Sequence, residues 1–334
     1  MQKVPPMLFQ YCRESDRLVS RPVSERAGGV AEPIWLDLTN PTRAEEKVVE
    51  DLLGISLPTR GEMQEIEVSA RLYQENGAEF MTVSVVSAAE TDEPSLTPVT
   101  FVLKGKTLVT VRFTEPDVFS TFVTRSQKAN EVACSTGEQV MLGLLETLSD
   151  RMADALERVA VEVDQISREI FRKKPNSGVA AKSRDLEGMI EQIGRNGDLL
   201  TKLRESLVST HRMFTYHPSA SLDDQTNKET RARVKVQYRD IVGLMDQAAF
   251  LSNKINFLLD ATLGLIKLQQ NQIIKIFSVA AVVFLPPTLI ASIYGMNFAH
   301  MPELNWNVGY PSALLLMVAS AVFPYWYFKQ RGWL

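Results

Sequence analysis

The run IFSVAAVVFLPPTLIASIY, residues 276–294, leads into Gly295-Met296-Asn297 and, after a short polar stretch, into VGYPSALLLMVASAVFPYWYF, residues 308–328. Neither run holds a charged side chain, and between Lys275 and Lys329 the chain carries only one, Glu303. Each is close to the ~20 residues that a helix needs to cross the ~30 Å hydrocarbon layer. A single run of this kind can be the core helix of a soluble domain. Two in succession, joined by a polar hairpin, read as a pair of transmembrane helices.

The 45% hydrophobic content of the 334 residues would by itself suit a soluble enzyme, because the apolar residues are segregated at one end. A net charge of −4 gives no basic field for nucleic acid. Cys12 and Cys134 lack metal-site spacing and read as reduced cytosolic thiols. Met1 to Gln10 contains Pro5 and Pro6 but no apolar core of a signal peptide, so none is expected. Lys267 and Lys275 precede the first span, Lys329 and Arg331 follow the second, and Phe298 to Asn307 has no basic residue. The asymmetry places both termini in the cytoplasm, with the protein in the inner (plasma) membrane.

Residues 1–135 read as a cytoplasmic α/β domain. Pro33 to Leu38 and Phe80 to Ser87 are strand-like, and Val99–Leu103 and Thr107–Phe113, split by Lys104-Gly105-Lys106, form a hairpin pattern. Helical patches cover Arg43–Leu53 and Met63–Leu72, and Ala89 to Pro94 is an acidic loop. Met141, Leu144, Leu145, Leu148, Met152, Leu156 and Val159 make an amphipathic stripe, opening a helical hairpin over residues 136–220. A stalk helix over 221–275 meets no break before Pro286 and so runs directly into the first span, 276–294. From Thr226 to Tyr294 such a helix would be about 100 Å long. The outer loop is 295–307, the second span 308–328, and the basic tail 329–334.

Tyr294-Gly295-Met296-Asn297-Phe298, followed by Met301-Pro302-Glu303-Leu304, resembles the CorA family of magnesium transporters. Asn271 to Ser278, Phe284-Leu285-Pro286-Pro287-Thr288 and the closing Phe328 to Leu334 are similar to it as well, so the specific likeness spans about residues 235–334. The resemblance implies a funnel-shaped homopentamer in the lipid bilayer, its first spans lining the pore and its second spans ringing it. It implies uptake of Mg²⁺, with Co²⁺ and Ni²⁺, down the membrane potential and gated by intracellular Mg²⁺. Gly295, Met296 and Asn297 would form the selectivity filter. Asp260 matches an aspartate ring at the cytoplasmic pore end. Regulatory Mg²⁺ would sit between neighbouring cytoplasmic domains, with Glu90, Asp92 and Glu93 as loop candidates and Asp240 and Asp246 as stalk candidates.

The residues suit that chemistry. Mg²⁺ sheds its waters reluctantly and is best held through its hydration shell by oxygen ligands. Asn297 carbonyls, with the Gly295 backbone, are neutral oxygens that let an ion leave again. Asn271, Ile274, Phe277, Ala281, Leu285, Thr288 and Ser292 share one helix face. Ile274, Phe277 and Leu285 match a hydrophobic constriction, while Asn271, Thr288 and Ser292 offer oxygens. A packing face would look the same apart from Asn271, since polar groups at membrane depth usually face an interior or water. Pro286-Pro287 marks a hinge, a widening or a packing kink. Glu303 would attract cations outside.

His211, His217 and His300 are the only histidines and none has zinc-ligand spacing; no phosphate loop or nucleophile elbow is present. An enzyme is therefore not expected. Two other readings remain open: a zinc transporter of the related ZntB branch, and a membrane-anchored signalling or scaffold protein with a coiled-coil stalk.

Overall fold

The computed structural model describes residues 7–14, 17–22, 33–91, 93–127, 134–172, 186–217, 227–296, 302 and 306–331. These form two compact units, Met1–Leu258 and Leu259–Leu334.

The first unit is built on a seven-stranded sheet: β1 (Met7–Glu14), β2 (Arg17–Pro22), β3 (Trp35–Thr39), β4 (Leu72–Glu75), β5 (Ala78–Ser87), β6 (Ser95–Lys104) and β7 (Thr107–Arg112), in the order β2-β1-β3-β7-β6-β5-β4. Every pairing is antiparallel except β3 with β7, where Trp35 lies beside Leu108 and Thr39 beside Arg112. The sheet is buried on both faces, and β3 and β7 place polar Asp37, Thr39, Thr110 and Arg112 in one of their two registers. On one face Leu36, Leu38, Phe80, Val102, Val109 and Val111 pack with Val49 of α1 (Arg43–Leu53) and Met63 of α2 (Arg60–Met63). On the other lie α4 (Asp117–Ser126), α5 (Gly137–Phe171) and α6 (Leu186–Tyr216), in contact with β2, β7 and β5 respectively.

The hairpin and the strands around Leu36 and Val83 form where the sequence places them. The helical patch at Met63–Leu72 does not persist. Thr59 and Glu62 close a capping box on α2, α3 covers only Val68–Arg71, and β4 starts at Leu72. The turn from β4 into β5 is Asn76-Gly77, with φ of 51° and 72°, the left-handed pair a tight hairpin requires. β1 and β2 have no counterpart in the sequence reading.

A buried polar chain ties the second face together. Trp35 Nε1 donates to Thr110 Oγ1 at 2.8 Å, and Thr110 donates on to Asp37 Oδ1 at 2.7 Å. Arg112 grips both Asp37 oxygens, at 3.1 and 2.8 Å, with its guanidinium 4.4 Å from the Phe119 ring centre. Tyr11 stacks on Trp35 at 4.2 Å, and its hydroxyl is pushed up to about 12 by burial and then by the Asp37 charge, against Arg112. A second anchor is His217, at the end of α6, whose ring nitrogens face Glu79 of β5 at 2.7 Å and Glu138 of α5 at 3.3 Å.

Helix α7 runs from Asn227 to Tyr294 and α8 from Gly309 to Gln330. Both are long and apolar enough to cross a membrane, and only 6% of the most apolar window of each is buried. Core helices of a soluble domain would show the reverse. Within the second unit each helix has one covered stripe. On α7 Val279 is 5% exposed and Ala280, Val283, Pro286, Pro287 and Ile290 are half-buried. On α8 Ala313, Met317, Ser320, Ala321, Pro324 and Phe328 are half-buried.

Candidate ion pathway and acidic groove

The seven candidate pore positions on α7 fall within an arc of about 120° at 3.6 residues per turn. All seven are exposed, with Ile274 at 61%, Phe277 at 71% and Leu285 at 65%. The covered stripe lies on the diametrically opposite arc. An apolar face this large and bare on a single chain calls for lipid or further subunits. Within it the polar members are spaced apart: Asn271 at one end, Thr288 and Ser292 toward the other. Thr288 Oγ1 donates its proton to Phe284 O at 2.7 Å, which leaves its lone pairs as acceptors.

At the end of α7, Gly295 N donates to Ala291 O at 2.9 Å and Met296 N to Ile293 O at 3.3 Å. Gly295 is not in the left-handed region, unlike Gly54, Gly77 and Gly105. The constraint there is space, since a Cβ would stand 3.1 Å from Ala291 O. Unusual dihedrals are therefore not what Gly295 contributes. Asn297, the third filter candidate, lies outside the described residues, as do Glu303 and Asp92.

Of the acidic candidates, Glu90 and Asp240 lie in different places. Glu90 faces Arg158 at 3.3 Å and Arg151 at 3.6 Å and borders a cavity of about 430 Å³ with Glu162, Arg195 and Asn196. Glu93 is exposed beside it. Asp240 lines a different and larger groove, about 800 Å³, between α5 and α7, with Glu146, Asp150, Arg233, Gln237 and Arg239. Asp246 and Asp260 are exposed on α7 and border neither. Among the described residues the structure thus does not bring the loop and stalk candidates together within one chain.

Glu146 and Asp150 were not singled out from the sequence. They stand four residues apart on the polar side of the α5 stripe, a pattern that any solvated helix face shares. Two features distinguish the groove from such a face. Partial shielding at the groove rim, where the Asp150 side chain is still 65% exposed, and then crowding by Glu146, Asp154 and Asp240, raise its carboxyl above the usual range, against Arg125 at 3.7 Å. Gln237 is 5% exposed and gives its Nε2 to Leu142 O at 3.1 Å, while its Oε1 has no partner among the described residues. A buried acceptor left unpaired beside crowded carboxylates fits a cation with its waters. Arg233, 3.0 Å from Glu146, supplies part of the balancing charge. Among the described residues no three His, Cys, Asp or Glu side chains converge as a closed metal cage.

The family model described as "CorA-like Mg2+ transporter protein" matches residues 30–330. The chain belongs to the CorA family. A CorA relative from Pasteurella multocida, named a magnesium transport protein, is 36% identical over 330 residues, covering 98% of this chain and 100% of its own. The complete CorA structure from Methanocaldococcus jannaschii superposes with a TM-score of 0.73 at 19% identity, over 100% of both chains. The cytoplasmic domain of ZntB from Vibrio parahaemolyticus gives 0.54 at 9% identity, over 79% of this chain and 99% of its own. The last two are likenesses of fold. CorA proteins are membrane transporters rather than enzymes, and the two bare apolar helices at the C-terminal end accord with that.

Proposed function

We propose that the chain is a magnesium channel-transporter: a homopentamer in the inner membrane, both termini cytoplasmic, passing Mg²⁺ and also Co²⁺ and Ni²⁺ inward down the membrane potential. The full-length similarity to a named magnesium transport protein carries the choice of ion. The bare arc on α7 supports the pore, because exposed Asn271 at one end and exposed Thr288 and Ser292 at the other flank exposed Ile274, Phe277 and Leu285 on one face. Apolar rings dewet and gate, and the polar rings receive a hydrated ion. The filter would be Gly295, Met296 and Asn297, holding the ion through its water shell, with Glu303 drawing cations to the mouth and Asp260 at the inner end.

The α5–α7 groove is the proposed seat of regulatory Mg²⁺, with Asp240, Glu146 and Asp150 as acidic partners and Gln237 Oε1 as a neutral acceptor. A bound dication would neutralise the crowded carboxylates and favour the closed arrangement; loss of the ion would restore their repulsion. Glu90, Asp92, Glu93 and Asp246 are secondary candidates, Glu90 being already matched by two arginines.

The test is dye-monitored Mg²⁺ entry into proteoliposomes under an inside-negative potential, comparing the native chain with Asn297→Ala. Entry that the substitution abolishes supports the filter. Entry of Zn²⁺ but not Mg²⁺ would move the protein to the ZntB branch, and entry of neither would remove the transport reading.

A further inference from the structure

The covered and bare faces of α7 divide the consequences of Pro286-Pro287 between them. A proline has no N–H, so Pro286 leaves the carbonyl of Val282 without its regular helical donor, and Pro287 does the same for Val283. Among the described residues neither carbonyl receives a side-chain hydrogen bond; the Thr288 hydroxyl, on the next turn, serves Phe284 O instead. At membrane depth such an oxygen needs protein or water to satisfy it. Val283 is half-buried on the covered stripe. Val282 is 40% exposed and sits about 20° beyond the Asn271 edge of the bare arc, at 3.6 residues per turn. Beside it, near the middle of the arc, is Ala281, a short side chain and the one arc position between Phe277 and Leu285.

We propose that Ala281 and the freed carbonyl of Val282 form a hydrated station for the cation inside the apolar constriction, with Pro286 as the residue that creates it. The inference rests on the pore reading above. The large rings at Phe277 and Leu285 are two turns apart, and between them a hydrated dication meets a recess left by a short side chain together with backbone oxygens that favour water. The station divides one long dewetted crossing into two shorter ones. Val282 itself supplies only backbone, so its side chain is exchangeable.

The two adjacent prolines furnish the control. Replacing either restores one N–H and makes the helix more regular, so loss of folding is not expected. Initial rates of Mg²⁺ entry would be compared in proteoliposomes for the native chain, P286A, P287A and A281V, at equal amounts of reconstituted pentamer. P286A and A281V are expected to slow entry about tenfold, equivalent to ~1.4 kcal/mol of barrier. P287A should stay within about twofold of the native rate, a change of under ~0.5 kcal/mol. Equal rates for P286A and P287A would overturn the station, leaving the prolines a shared effect on helix shape. A native A281V rate would overturn it as well. If the native chain itself passes no Mg²⁺, the failure belongs to the transport reading.

Discussion

His217 gives a stability prediction with a definite pH window. Its imidazole is buried, which alone would lower its pKa, but Glu138 and Glu79 on its two nitrogens prevail and raise it from 6.5 to about 9. The clamp joins the end of α6 to β5 and to the first turn of α5. A folded pKa above the unfolded one means that the folded state binds the proton more tightly. The stabilisation is therefore complete below pH 6.5 and is lost as pH rises through about 9. A shift of this size corresponds to about 3 kcal/mol. At 2–4 °C per kcal/mol, a domain of this size should lose roughly 6–12 °C of Tm across the window. Tyr11 and Cys134, pushed up to about 12 and about 11 chiefly by burial, titrate above it. The assay is thermal unfolding of the detergent-solubilised protein from pH 6 to pH 9.5, beside His217→Gln, which cannot hold the proton. The native Tm should exceed the mutant's at pH 6 and converge on it by pH 9.5. Parallel curves with a constant offset would show that the imidazolium is not what holds the three elements together.

Gly137 opens α5 against β7, where a Cβ would meet Leu108 N at 2.3 Å and Thr107 C at 2.7 Å. Gly137→Ala should therefore cost about 1–3 kcal/mol by overpacking, although alanine is the better helix former by ~1 kcal/mol; a raised Tm would refute the contact. Asp37→Asn leaves Arg112 buried without its counter-charge and should cost about 3–5 kcal/mol, read as a fall in Tm or in folded yield. Asp240→Asn with Glu146→Gln should weaken closure, so that proteoliposomes loaded with Mg²⁺ keep conducting at internal concentrations that shut the native chain. Unchanged sensitivity would return regulation to the loop carboxylates.

The clearest sequence signals were those with one physical solution. An uncharged run as long as the bilayer is thick has few other fates, so residues 276–294 and 308–328 announced two helices long and apolar enough to cross a membrane. The α5 stripe and the lack of any break before Pro286 likewise announced the long helices, because 3.6-residue periodicity persists over many turns. Short elements were less legible. Met63–Leu72 carries helical spacing, yet the Thr59–Glu62 capping box starts the helix early and Asn76-Gly77 draws Leu72 into a hairpin. That dipeptide was a visible signal set against the local pattern. β1 and β2 flank the sheet, and their pairing comes from Trp35–Thr39 and from each other rather than from a pattern of their own.

The sequence by itself determined which residue types line the bare face of α7, since helical periodicity alone puts Asn271, Thr288 and Ser292 among the apolar rings. Only tertiary structure decided that the opposite arc is covered, that Gly295 is limited by space rather than by dihedral, and that Glu90 is matched by arginines. It also joined Glu146 and Asp150 of α5 with Asp240 and Gln237 of α7 around one groove. Those residues are about 90 positions apart in the chain, and no local spacing encodes their meeting. Their proximity follows from two long helices packing side by side, a consequence of where each apolar stripe finds its partner.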